Sequence, residues 1–173
     1  MAATFRAVGS GITFASSKHM LSLFNGSGSG AVLSVYRIWV LNNQTSAVTG
    51  VFTTLEVRRS TAQSGGTSVT PIKMDTNSSN LAAQVLCAHN ATVTAASTDV
   101  FTRIGWSNDE AAVTSATNDE LECIPALMEI LSAGIGNSAL EPVVCRETYG
   151  ITLFHGGSTA VGNMDIVFEF TNT

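Results

Sequence analysis

The most regular stretches of the chain alternate between apolar and polar positions with a period of two. Over 32–41, Leu33, Val35, Arg37, Trp39 and Leu41 fall on one face of an extended chain, and Val32, Ser34, Tyr36, Ile38 and Val40 on the other. Both faces are largely apolar, so the pattern predicts a central strand covered on both sides, with Trp39 in the core. Over 51–58, Val51, Thr53, Leu55 and Val57 face one way, and Phe52, Thr54, Glu56 and Arg58 the other. That is the half-buried pattern of a sandwich. Met164, Ile166, Phe168 and Phe170 oppose Asp165, Val167 and Glu169, which predicts a closing strand over 164–171. Gly26-Ser-Gly-Ser-Gly30, Asn42-Asn-Gln-Thr-Ser46 and Ser64-Gly-Gly-Thr-Ser68 read as turns between such runs. Further strands are predicted at 69–74, 84–88, 100–106, 143–146 and 151–155.

One stretch has two readings. Leu121, Ile124, Leu127, Met128 and Leu131 would share a helix face, with Asn118 as the cap, but Pro125 would interrupt that helix. A strand at 121–124 and a second short element at 126–131 fit better. Eight to ten short strands without a sustained helical period predict an all-β fold, an antiparallel sandwich or barrel. At 173 residues one domain over 1–173 is expected, with a short N-terminal arm (about 1–15).

Composition changes the picture on two points. Only 12% of residues are charged, while Ser (19) and Thr (21) are abundant, which excludes a charged helical bundle and favours strands. The net charge is -5, and Arg58-Arg59 is the one adjacent basic pair, so nucleic acid is not an expected partner. No run approaches the roughly 18 apolar residues of a membrane helix, and no membrane partner is expected. Met1-Ala-Ala-Thr-Phe-Arg6 lacks the apolar core of a signal peptide. The three Cys (87, 123, 145) read as reduced core thiols.

The candidate chemistry is sparse. Gly26–Gly30 contains G-x-G but runs into the strand-like Ala31-Val-Leu-Ser-Val35, so the helix N-terminus of a phosphate loop is missing. Cys87 and His89 would share a strand face, yet zinc needs three or four ligands, and Cys123, Cys145, His19 and His155 lie far off in sequence. No metal and no cofactor are expected. The G-x-S-x-G elbow is absent, so catalytic residues are not assigned, although a hydrolase on a β-sandwich scaffold stays as an alternative. Asp109-Glu110 and Asp119-Glu120 read as solvated loop acids. Trp106 ends a strand and Tyr149 sits at a predicted hairpin tip. Together they form a possible glycan-stacking pair, the basis of a second alternative: a carbohydrate-binding module or fibre-associated virion protein. Ser/Thr/Asn-rich segments at 60–68, 75–80 and 107–119 are expected contact loops.

A surface this poor in charge suits a protein that covers itself with neighbours, because interface cores are depleted in charge. Val35-Tyr-Arg-Ile-Trp-Val-Leu-Asn42, Val48-Thr-Gly50 and Leu55-Glu-Val-Arg-Arg59 carry a strand-and-turn texture that resembles jelly-roll structural proteins of tailed bacteriophages, of the capsid decoration or cement kind. Gly65-Gly-Thr-Ser-Val-Thr-Pro-Ile-Lys-Met-Asp75, Pro142-Val-Val-Cys-Arg-Glu-Thr-Tyr-Gly150 and Gly162-Asn-Met-Asp-Ile166 extend the likeness over most of the chain. The resemblance implies a jelly-roll-like sandwich and a non-enzymatic virion protein assembled in the host cytoplasm. Its implied partners are other copies of itself, as a homo-oligomer with a trimer favoured, and the major capsid protein or other virion proteins. It leaves head or tail position open.

Overall fold

The alternating segments build two six-stranded antiparallel sheets packed face to face. The computed structural model describes residues 2–42, 51–108, 128–133, 141–157 and 162–173. The first sheet, A, holds β1 (Ala3–Thr13), β3 (Leu33–Asn42), β6 (Ile72–Lys73), β9 (Met128–Ser132), β10 (Val143–Cys145) and β12 (Asn163–Asn172). The second, B, holds β2 (Lys18–Asn25), β4 (Val51–Ser64), β5 (Thr67–Ser68), β7 (Val85–His89), β8 (Thr92–Asn108) and β11 (Tyr149–His155). The order in A is β10-β3-β12-β1-β6, with β9 also on β3; in B it is β5-β7-β2-β11-β4-β8. Apart from the inserted β5–β7, the described strands alternate between sheets at each step except from β4 to β8, both in sheet B, and from β9 to β10, both in sheet A. The result is an antiparallel β-sandwich. The described residues contain no helix.

The core lies between the two inner faces. Phe5, Leu33, Val35, Ile38, Phe168 and Phe170 from sheet A meet Leu21, Leu23, Leu55, Val57, Ile151 and Leu153 from sheet B, all at most 1% exposed. Each such side chain contributes about 1.5–3 kcal/mol on burial, which offsets the backbone entropy of ordering long strands. Phe5 stacks on Phe170 with ring centroids 5.6 Å apart, joining β1 to β12.

Several expectations are corrected here. Residues 3–13, expected as an arm, form a strand inside sheet A, because Ala3, Phe5, Ala7 and Ile12 bury one face while β12 pairs along the backbone. The described residues contain twelve strands, more than the eight to ten expected. The excess comes largely from two-residue β5 and β6, and β4 and β8 are long, at 14 and 17 residues. The run at 69–74 is strand only at Ile72–Lys73. The stretch expected as a contact loop at 60–68 is strand over most of its length, since Ser60–Ser64 continues β4 against β8.

The face assignment of β3 is also corrected. Glu169 of β12 pairs with Arg37, but the next residue, Phe170, pairs with Val35, which leaves Tyr36 as the extra residue of a bulge. The bulge shifts the phase by one. Leu33 and Val35 point inward before it, Ile38 and Val40 after it, and Arg37 and Trp39 turn outward. Trp39 is therefore a half-buried outer-face residue rather than core, with the Arg6 guanidinium 5.4 Å from its ring centroid. The element expected at 126–131 falls on β9; the strand expected at 121–124 lies outside the described residues.

Candidate functional site

Tyr149 opens β11, opposite Asn25, and is 43% exposed. Trp106 lies on β8 opposite Thr53; its side chain is outside the described residues. Gly150, next to Tyr149, pairs with Ser60 of β4, seven positions from Thr53 along that strand. At the rise of an extended chain these two sites are about 23 Å apart. Sheet B thus does not bring the predicted stacking pair onto one sugar-sized platform.

The glycine-rich turn 26–30 binds a carboxylate of the chain itself. Gly28 and Gly30 take positive φ (78° and 63°), and their N–H groups donate to Glu147 at 3.2 and 2.8 Å. These two hydrogen bonds hold the exposed Glu147 carboxyl below its ordinary range.

The cysteine and histidine candidates separate. Cys87 and Cys145 are buried free thiols, each pushed up to about 12 by burial, with Arg59 opposing this in part at Cys145. At neutral pH both are protonated and unreactive. Cys123, Asp109-Glu110 and Asp119-Glu120 lie outside the described residues, as does most of 107–119. His19 lies on the outer face of sheet B, while His155 is fully buried against Phe14 (centroids 5.1 Å apart). Among the described residues no three His, Cys, Asp or Glu side chains meet as a metal cluster. Arg58 and Arg59 do not form a basic patch. Arg58 ion-pairs with Glu56 and lies 3.7 Å from the Phe154 ring centroid. Arg59, in phase with core residue Ile151, leaves the opposite face to reach Asp99 (3.1 Å) and Phe101.

Two cross-strand rows of side chains escaped the sequence reading. On sheet B, His19, Phe154, Glu56 and Arg103 stand abreast on β2, β11, β4 and β8. Glu56 is nearly buried, and its two oxygens accept from Arg58 Nε and Arg103 Nε, each at 2.6 Å. His19 rests on Phe154 (centroids 5.0 Å apart) and lies 3.2 Å from Thr152 Oγ1. Burial, and then Arg58, hold its pKa below 6.5. On sheet A, Arg37, Glu169, Arg6 and Ile72 stand abreast on β3, β12, β1 and β6. Glu169 binds both Arg6 and Arg37, and Arg37 also meets Glu129 of β9 at 2.9 Å. A signal for both rows was present. Glu56 and Arg58, like Arg6 and Glu169, occupy outward positions of alternating strands, where opposite charges from neighbouring strands can meet.

The charged groups in these rows serve one another. Glu56 has both oxygens engaged, and Glu169 is shared between two guanidinium groups. Such an arrangement stiffens a surface. Set against known proteins, the chain matches no protein-family model, no curated protein and no solved structure.

Proposed function

We propose that this chain is a non-enzymatic structural protein of a virion, a decoration or cement subunit that self-associates, with a trimer favoured, and stabilises a phage head by binding its major capsid protein. The observation that carries the reading is an antiparallel sandwich with few charges, in which the described charges of the outer sheet faces are largely consumed in local ion pairs. The likeness of its strand texture to phage structural proteins supports the same reading. A subunit that binds only the assembled shell stabilises it by mass action, so the function needs a shaped surface and no reacting group. The expected site of action is the virion, after assembly in the host cytoplasm.

Size-exclusion chromatography with multi-angle light scattering tests the self-association. At micromolar concentration the mass should be a multiple of 18.0 kDa, with a trimer expected. A monodisperse 18.0 kDa species over the whole concentration range would refute the reading. Cryo-electron microscopy of the native assembly would then identify the neighbouring subunits. A glycan-binding reading rests on the exposure of Tyr149 alone, and glycan-array signals unchanged by Tyr149→Ala would end it.

A further inference from the structure

The outer face of sheet A has a lopsided surface. Its central charges, Arg6, Arg37, Glu129 and Glu169, form a linked set of two cations and two anions. Asp165 lies four residues further along β12, where it accepts the Gly11 N–H at 2.7 Å. Beyond Arg6, at the edge, the face turns apolar. Ile72 is 64% exposed, Met74 57% and Val8 37%. Ile72 stands directly opposite Arg6, and the Met74 N–H donates to the Thr4 carbonyl, so β6 and β1 hold all three on one face. The nearby cation Lys73 donates to the carbonyls of Thr76 and Ser78.

Beside this patch an open cleft of about 300 Å³ is lined by Thr4, Tyr36, Met74, Glu169 and Thr171. The β3 bulge at Tyr36 and the short β6 border it. A protruding apolar side chain and an apolar-floored cleft thus occur on the same face. The β1 edge next to them is also open, because β6 pairs only with Phe5 and Arg6 and no described strand continues along Ala7–Thr13. That stretch, Ala7-Val-Gly-Ser-Gly-Ile-Thr13, carries no charge to discourage another strand.

We propose that the Val8–Ile72–Met74 patch faces the rotation axis of the homo-oligomer, where a second copy of this chain covers it and Ile72 or Met74 of one copy enters the cleft of the next. Residues near a rotation axis approach their own counterparts, whether the axis is twofold or threefold. A face there must not repel itself. On a chain of net charge -5, the linked set of four cancelling charges makes this face able to meet its like, and the apolar edge supplies the adhesion. This inference rests on the self-association proposed above.

The test compares wild type, the double variant Ile72→Glu/Met74→Glu, the milder Ile72→Ser/Met74→Ser and the control Leu86→Glu by light scattering over a dilution series. Leu86 is also apolar and exposed, at 41%, but lies on sheet B. Far-ultraviolet circular dichroism and melting curves verify folding; all the altered side chains are solvent-facing. The expected result is that the Glu pair drives the protein to monomer. The Ser pair should raise the dissociation constant by about 30-fold or more, and Leu86→Glu should leave it unchanged. A folded Glu-pair variant with wild-type mass would overturn this surface and leave self-association standing. A monomeric wild type would overturn both.

Discussion

His155 is the residue whose setting speaks most directly to stability. Its imidazole is fully buried against Phe14, and among the described residues neither ring nitrogen has a hydrogen-bond partner in good geometry, the Ala15 backbone offering only a weak one. Lys18, its cross-strand neighbour on β2, adds a like charge to any imidazolium. Burial comes first in holding its pKa below 6.5; the Ala15 backbone pulls upward and Lys18 again downward. The native state therefore binds this proton less readily than the unfolded chain. Stability should be full above pH 6.5 and decline as the pH falls below it. His19 is shifted the same way, so it adds to the slope. Urea midpoints of wild type at pH 7.5 and 5.5 should fall with acidity, and His155→Phe should flatten part of that fall. An unchanged slope in the variant would place the acid response elsewhere.

At the scale of elements, Glu56 ties the two strands of the long β4–β8 pair together by meeting Arg103, and meets Arg58 within β4. Glu56→Ala leaves the mostly buried Arg58 without its anion, at a cost of about 2–3 kcal/mol. For a chain of this size that lowers Tm by roughly 4–12 °C in a calorimetric scan. Arg103→Ala, at an exposed guanidinium, should cost about 1 kcal/mol or less. The inner faces of β12 and of the middle of β4 were legible because apolar residues alternate there, as in Leu55 and Val57 or Ile166, Phe168 and Phe170. The inner face of β3 was not. Its run is apolar at both parities, so alternation alone could not reveal the bulge at Tyr36 that sends Trp39 outward. Residues 3–13 looked like an arm because Gly9-Ser-Gly11 breaks the pattern, yet β12 pairs on both sides of that break. The two ion-pair rows depend on register between strands distant in sequence, and a single strand does not contain that information.

For the whole molecule, an assembly held by apolar side chains and a charge-cancelled face should not depend on attraction between ions. Raising sodium chloride from about 0.05 to 0.5 M shortens the screening length severalfold and relieves the mutual repulsion of net-negative copies. The assembled fraction should hold or rise in light scattering; a marked fall would point to salt bridges between subunits instead. The arrangement of sheet A also bears on how the chain reaches its native state. β12, late in the sequence, lies between β1 and β3, and Ala3 pairs with Asn172. The middle of that sheet can close only when segments about 170 residues apart meet, so folding should be slow, with unsealed strands exposed to misassembly meanwhile.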